Sequence, residues 1–189
     1  MAKNRINSLE INSTKTFDQQ KIAEEFNNFF SNIGQNLAKN INNTTNDFKT
    51  YLGTPQPQSI LLRKANEAEI ADIIKRLSNS KSPGYDLINA KFLKLCSPVI
   101  IPILCYIFNI MVSTGSYPED LKIAKVIPIY KSGDPSKCTN YRPISLLCTI
   151  NIIFEKLLYK LLYNYLEKFE ILYKNQYGFK KINQLAMLL

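Results

Sequence analysis

The chain contains no histidine, and its four cysteines, Cys96, Cys105, Cys138 and Cys148, include no Cys-x-x-Cys pair. Zinc fingers and zinc knuckles need closely spaced Cys and His ligands, so these two absences exclude the usual structural zinc sites. The sequence also lacks a glycine-rich phosphate loop and a nucleophile elbow. We therefore expect reduced, structural thiols and no metal site in this chain.

Long apolar runs are also missing. The first 15 residues are polar nearly throughout, so they contain no signal-peptide core. The longest apolar stretch, residues 99–112, contains Pro102 and Asn109 and is shorter than the roughly 20 residues that span a bilayer. We expect this stretch to form a buried helix. We also expect an intracellular protein, cytoplasmic or nuclear, that is not secreted and has no membrane partner.

Basic residues outnumber acidic ones. Lysine and arginine total 24 against 15 acids, for a net charge of +9, while 46% of the residues are hydrophobic. The apolar content is sufficient for a folded core, and the charge favours a polyanionic partner such as nucleic acid. Many of the basic residues follow residue 80, which places the expected partner surface in the second half of the chain. A basic surface that serves only solubility is the alternative.

The chain divides into three regions by pattern. Residues 1–16 are polar and aperiodic, which predicts a flexible leader. Residues 17–62 begin with a helix, capped by Thr16 and Gln19, and continue into a linker rich in Asn, Thr and Pro. The helix has an apolar stripe that predicts a docking face, and its positions are Ile22, Phe26, Phe29, Phe30, Ile33, Leu37 and Ile41.

Residues 63–189 form the third region. Their sequence pattern predicts an α+β fold that is predominantly helical. Asn66 and Glu69 have capping-box spacing at the start of a helix, and shorter patterns predict helices at 89–95 and 98–113. Residues 122–130 predict a strand, so one or two short strands are expected there, and Pro128 favours an edge position. A wide apolar pattern at 145–169 predicts a long helix that could self-associate where it is exposed.

The loops beside the predicted strand carry the candidate phosphate site. Lys131 ends the strand, and Arg142 precedes Pro143 and the predicted helix start at Ser145. A lysine charge, an arginine fork and free N–H groups of a helix amino terminus together suit a triphosphate or a strand phosphate. Solvated basic side chains without a ligand are the alternative.

Four ordered segments resemble the opening of the reverse transcriptase domain of non-LTR (LINE-type) retrotransposons. The upstream helix at 24–41 is similar to the connector that precedes the polymerase in these elements. The four segments are SPGYDLINAKFLK (82–94), IFNIMVSTGSYPEDLKIAKVIPIYKSGD (107–134), NYRPISLL (140–147) and QYGFK (176–180).

The resemblance implies a right-hand polymerase, of which this chain holds the connector, the fingers and the start of the palm. Lys131 and Arg142 then match basic fingers residues that bind nucleotide phosphates. The turn at 82–86 matches a motif for which we expect a structural role, and Asp86 is a candidate cap for the helix that follows it. The template-side candidates are Gln176, Tyr177, Gly178, Phe179 and Lys180, where the family usually has arginine in place of Lys180.

The family's palm holds three metal-binding aspartates, and their motifs do not occur in this sequence. Two-metal phosphoryl transfer needs carboxylates around two magnesium ions about 4 Å apart. We expect the acids that are present in this chain to be helix caps or surface residues instead. The resemblance therefore implies Mg²⁺ in the complete enzyme but no cofactor and no polymerisation here. The implied partners are RNA and DNA template-primer and the rest of the polymerase. The alternatives are a non-catalytic nucleic-acid-binding module and a helical protein-interaction module.

Overall fold

The computed structural model of the chain describes residues 6–41, 47–51, 57, 59–60 and 62–172. These residues form a mixed α/β structure that is predominantly helical, with two small antiparallel sheets. Twelve elements follow one another in chain order: β1 (Leu9–Ile11), β2 (Thr14–Thr16), α1 (Gln19–Ala38), a 3₁₀ turn (Phe48–Tyr51), α2 (Glu67–Lys75), α3 (Ala90–Leu95), α4 (Ser97–Thr114), α5 (Glu119–Lys122), β3 (Ala124–Tyr130), a 3₁₀ turn (Cys138–Asn140), β4 (Tyr141–Leu147) and α6 (Thr149–Lys168).

The chain forms two compact units. One, here called the hairpin unit, combines residues 1–57 with residues 123–147. The other, here called the helical unit, combines residues 58–122 with residues 148–189. Each unit is therefore built from two separate parts of the chain.

The hairpin unit begins with a small β-hairpin where the composition predicted a flexible leader. Strands β1 and β2 pair through a tight turn in which Asn12 and Ser13 both have positive φ, as a two-residue turn with the right twist requires. Leu9 on β1 is fully buried. The prediction of an aperiodic leader is thus wrong for residues 9–16, because burial of Leu9 holds even this polar segment in place.

Helix α1 packs the amino-terminal part of its apolar stripe inside the hairpin unit. Its amino-terminal cap is Asp18, which accepts hydrogen bonds from the backbone N–H groups of Gln20 and Lys21, so the predicted cap at Thr16 is wrong. Phe26 is buried, with its ring 4.9 Å from that of Tyr141 on β4 in an edge-to-face arrangement. The start of the stripe therefore packs within the unit, whereas Ile33, Leu37 and Ile41 remain exposed.

Strands β3 and β4 pair in antiparallel register, with Ala124 opposite Leu147 and Tyr130 opposite Tyr141. Pro128 faces Pro143 in the middle of the ladder. The backbone N–H of Lys131 donates to Asn140 O at 2.8 Å, so these two residues form a hydrogen-bonded pair. Hydrogen-bonded and non-hydrogen-bonded pairs alternate along an antiparallel ladder. The proline pair is three pairs further along and is therefore non-hydrogen-bonded. Neither proline removes a hydrogen bond between the two strands. The predicted strand is confirmed, and Pro128 lies on an edge strand, because the sheet has only β3 and β4.

The helical unit has a core of apolar side chains from α2, α3, α4 and α6. Its most buried members include Ile70, Ile74, Leu93, Phe108 and Leu157. The predicted capping box at the start of α2 is confirmed, since Asn66 accepts from the Glu69 N–H and Glu69 binds back to the Asn66 N–H. Helices α3 and α4 are also confirmed, and Gly115 ends α4 in the left-handed conformation.

Helix α4 is apolar on all sides but buries only one face, through Leu104, Phe108 and Met111. With 18 residues it is long and apolar enough, by length and composition alone, to cross a membrane, so the expectation that it is too short does not hold. Only 22% of this stretch is buried, so the expectation of a buried helix is wrong for most of its surface. On the buried side, Asn109 makes two hydrogen bonds to the backbone of Ala65. This helix is bound into the core of its unit.

Helix α6 starts later than the sequence predicts. Residues 145–147 belong to strand β4, and the helix runs from Thr149 to Lys168. The predicted start at Ser145 is wrong because the apolar residues Leu146 and Leu147 continue the helical pattern without a break. The amino-terminal half of α6 is buried through Ile153, Phe154 and Leu157, while Tyr159 and Leu162 remain exposed.

Candidate nucleic-acid interface

The turn between β3 and β4 holds Lys131 in a fixed position. Gly133 adopts a φ of +92°, and a Cβ atom there would lie 2.8 Å from the side-chain nitrogen of Asn140, so the turn requires glycine. The Asn140 amide donates to Asp134 O at 2.9 Å, and the Tyr130 hydroxyl donates to Gly133 O at 2.5 Å. These bonds make the start of the loop rigid.

Arg142 lies on β4 on the same face of the hairpin as Lys131. Arg142 is opposite Ile129 in the register, and Lys131 is two residues beyond Ile129, so the two basic residues are diagonal neighbours. Positions of this kind are about 7–8 Å apart, within reach of long side chains. The register therefore brings together the two residues that the sequence singled out.

Lys125 lies further along the same face, opposite Leu146. We call Lys125, Lys131 and Arg142 the basic face of the hairpin. All three side chains are exposed, and none forms a hydrogen bond or ion pair with any residue that the structure describes. Because no carboxylate neutralises them in that part of the chain, these cations can take a phosphate as their counter-ion.

The predicted contribution of a helix amino terminus beside Arg142 is wrong. Pro143 continues strand β4, and Ser145 lies on that strand opposite Val126. The first helical residue is Thr149. The second candidate cluster, Gln176, Tyr177, Gly178, Phe179 and Lys180, lies outside the described residues.

Sequence reasoning missed a pocket on the opposite face of the hairpin. It is half-open, has a volume of about 290 Å³, and is lined by Tyr130, Tyr141, Pro128, Pro135 and the segment 6–8. The Tyr141 hydroxyl donates to Pro135 O at 2.6 Å, and burial raises the pKa of Tyr141. The signal that could have found the pocket is the alternation of tyrosines and prolines along both strands.

The turn at 82–86 has a structural role, as expected. Asp86 Oδ1 accepts from the backbone N–H of Ile88 at 3.1 Å, whereas Asn89 caps helix α3, so the prediction that Asp86 caps that helix is wrong. The Tyr85 hydroxyl donates to Asp120 O at 2.8 Å, and Thr149 Oγ1 donates to Ile88 O. The motif thus ties the start of α3 to α5 and to the start of α6.

Burial favours the protonated form of two of the thiols. All four cysteines are free. Burial raises the pKa of Cys138 to about 11, and burial together with Asp86 raises the pKa of Cys148. Such thiols are poor nucleophiles and poor metal ligands.

The acids within the described ranges already have structural tasks or lie apart. Asp18 caps α1, Glu69 binds Arg63 and Lys160, and Glu119 pairs with Lys122. No group of three Asp, Glu, Cys or His side chains within those ranges could hold a metal ion. The carboxylates described here do not fit the magnesium site of a polymerase.

Comparison with known proteins identifies relatives. The chain is 31% identical over 131 residues to the RNA-directed DNA polymerase from mobile element jockey of Drosophila melanogaster, a match that covers 69% of this chain and 14% of the relative. It is a relative of the RNA-directed DNA polymerases of non-LTR retrotransposons. The predicted resemblance to this family is thereby confirmed.

Two further retrotransposon proteins of Drosophila melanogaster support the relationship. The probable RNA-directed DNA polymerase from transposon BS is 32% identical over 131 residues, with 69% of this chain and 14% of the relative covered. The probable RNA-directed DNA polymerase from transposon X-element is 34% identical over 113 residues, with 59% of this chain and 12% of the relative covered. No protein-family model matches the chain. Since the chain spans about 14% of the length of the first two relatives, their whole activity does not transfer to it.

Proposed function

We propose that this chain is the connector and fingers portion of a retrotransposon reverse transcriptase and that it binds RNA and DNA template-primer through the basic face. The observation that carries the proposal is the placement of Lys131 and Arg142 on one face of a rigid hairpin, exposed and unpaired within the described part of the chain. Unpaired cations at fixed spacing are suited to successive phosphates of a strand or to a triphosphate.

Lys131 and Arg142 have different roles in this proposal. The guanidinium of Arg142 can bind two phosphate oxygens at once, whereas the Lys131 ammonium acts as a point charge. A nucleotide triphosphate offers oxygens on neighbouring phosphates, so it can bridge the diagonal pair. We assign the pair to nucleotide phosphates and Lys125 to the backbone of the bound strand.

We also propose that this chain alone does not polymerise nucleotides. The described acids do not fit a two-magnesium site, so Mg²⁺ and the carboxylates that hold it belong to the complete enzyme, as does the remainder of the polymerase that this chain binds. Metal-dependent primer extension by the purified 189-residue chain would contradict this part of the proposal.

Self-association is a second partner proposal. Helix α6 exposes Tyr159 and Leu162, and exposed apolar side chains on one helix favour contact with a second copy. Sedimentation that shows only monomer at all concentrations would rule it out.

The salt dependence of binding tests the main proposal. The affinity for a fluorescent primer–template should fall steeply with salt, since each phosphate contact contributes about 0.9 to the slope of log K against log salt. The double variant Lys131→Ala/Arg142→Ala should lower that slope by about 2. The matched control is Lys21→Ala/Lys39→Ala, which removes the same charge from helix α1 and its carboxyl-terminal cap and should leave most of the slope intact.

Two outcomes would overturn the proposal. A flat salt dependence in the wild type would mean that phosphates are not the contact. Equal slopes for the basic-face variant and the α1 control would mean that net charge, and not this face, attracts the nucleic acid.

A further inference from the structure

The pocket on the second face of the hairpin has the construction of a stacking site. Tyr130 is 43% exposed at its wall, while its neighbour Tyr141 is buried and meets the Tyr130 ring at 5.6 Å in an edge-to-face arrangement. The hydroxyl groups of both rings are bonded to backbone carbonyls, those of Gly133 and Pro135. The rings are therefore held in place, and the exposed part of the Tyr130 ring is free to receive a flat group.

The opposite wall of the pocket is also fixed. The backbone N–H of Glu10 donates to Ser136 O at 2.8 Å, and the Gln19 side chain donates to Ile6 O at 3.1 Å. Segment 6–8 is thus tied at both ends. The side chains of Asn7 and Ser8 form no hydrogen bond with a described residue, so they can donate to and accept from a ligand.

The charges beside the pocket are nearly balanced, so its aromatic wall decides which ligand it suits. Two cations, Lys15 and Lys137, lie close enough to the loop beside the pocket to interact electrostatically with Asp134. The carboxylates on these segments are Glu10 and Asp134, and Asp134 accepts two hydrogen bonds from Ser136, which lower its pKa. An exposed aromatic ring matches an unpaired base, because every base has a flat face that can stack on such a ring.

The size of the pocket fits the same ligand. Its volume of about 290 Å³ lies at the lower limit for pockets that hold drug-sized molecules. One base is a small planar group, whereas a folded peptide element or a duplex is much larger. The pocket can therefore take a single base from a flexible strand, but not a base that is paired and stacked in a helix.

We propose that this pocket binds one unpaired base of a single-stranded nucleic acid, stacked on Tyr130. This inference rests on the proposed function, because it assumes a nucleic-acid ligand. It adds a preference for single strands, which the phosphate contacts of the basic face do not provide.

Substitution of Tyr130 tests the proposal with the full chain. The probes are a labelled 12-nucleotide single strand and a duplex of the same sequence. Tyr130→Leu should weaken binding of the single strand about 10-fold, since an aromatic contact to one base has an effect of that order. Tyr130→Leu and Tyr130→Phe both lose the hydroxyl bond to Gly133 O in the loop of Lys131, so duplex affinity and the salt slope should be equal in the two variants. Tyr130→Phe keeps the ring and should bind within about twofold of the wild type.

The base itself supplies a second readout. A strand with one 2-aminopurine should lose fluorescence on binding to the wild type and to Tyr130→Phe, but not to Tyr130→Leu. Photocrosslinking of a 5-iodouracil strand to the wild type needs no variant, and it should label Tyr130, Tyr141 or segment 6–8. Crosslinks confined to other residues would overturn the proposal, even if Tyr130→Leu failed to fold.

Failure of this inference is distinguishable from failure of the proposed function. If Tyr130→Leu bound the single strand like the wild type while Lys131→Ala/Arg142→Ala lost affinity, the stacking site would be wrong and the phosphate site would stand. If the wild type bound neither probe, both would be wrong. Binding of a decaproline peptide that only Tyr130→Leu abolishes, with single-strand affinity intact, would show that the pocket takes proline-rich protein segments instead.

Discussion

The side chain of Asn109 binds both backbone groups of Ala65, 44 residues away in the chain: the Ala65 N–H donates to Asn109 Oδ1 at 2.7 Å, and Asn109 Nδ2 donates to Ala65 O at 3.0 Å. Ala65 is buried and immediately precedes the cap of helix α2. A polar residue within the most apolar helix thus fixes where another helix begins.

Replacement of Asn109 should destabilise the helical unit. Asn109→Asp places a second acceptor opposite the Ala65 carbonyl oxygen and removes the donor, so we expect a loss of about 2–3 kcal/mol in the free energy of unfolding. Urea denaturation followed by circular dichroism measures it. Ser113→Ala on the same helix removes an exposed hydroxyl that binds Ile110 O and should change stability by less than about 0.5 kcal/mol. Equal effects of the two variants would contradict the role of Asn109.

Stability should depend on pH through Glu69. Two hydrogen bonds from Arg63, at 2.8 and 2.6 Å, and an ion pair with Lys160 lower the pKa of Glu69 to about 2. Because the folded pKa is below the unfolded value, this stabilisation is fully present above about pH 4.5 and is lost as the pH falls towards 2. Glu69→Gln should cost about 1–2 kcal/mol at pH 6.

The difference between wild type and Glu69→Gln should narrow below pH 4.5 and nearly vanish near pH 2. Urea midpoints measured at pH 6, 4 and 2.5 follow it. Glu119→Gln is the control, since Glu119 pairs with Lys122 in solvent, with 85% of its side chain exposed, and exposed pairs contribute little. If the difference in urea midpoint between wild type and Glu69→Gln stayed constant across this pH range, the charge of the Glu69 carboxylate would not be what stabilises the helical unit.

Phe26 and Phe17 should respond in opposite ways to the same substitution. Phe26 is 4% exposed and packs on Tyr141, whereas Phe17 is 67% exposed. Phe26→Ala leaves a cavity and should destabilise the hairpin unit by about 3 kcal/mol, while Phe17→Ala should be nearly neutral. If Phe26→Ala left stability unchanged but abolished binding of another protein, the stripe would be an external docking face after all.

Elements whose signals are local could be predicted from the sequence. The Asn66–Glu69 capping box, the left-handed Gly115 and the β-branched run of β3 each depend on residues within one turn or strand. The pairing of Lys131 with Arg142 on one face was also expected, although for a different reason, since the helix start that the sequence placed beside Arg142 is a strand.

The other features depend on distant contacts. Strand β4 was hidden because its last residues share an apolar pattern with helix α6, and only the register with β3 separates them. The β1–β2 hairpin was hidden because its turn uses Asn12 and Ser13, and serine is a rare residue for such a turn. The pocket was missed because segment 6–8 reaches Tyr130 across more than 100 residues of chain.

The facing prolines of the β3–β4 hairpin affect how this protein meets other copies of itself. At a non-hydrogen-bonded pair, each N–H points away from the partner strand and towards the open edge of the sheet. Pro128 and Pro143 have no N–H, so the outer edge of each strand lacks a donor near its middle. A strand from another copy that paired with either edge would lack one backbone hydrogen bond at the proline. This protects a two-stranded sheet with many apolar residues against edge-to-edge aggregation.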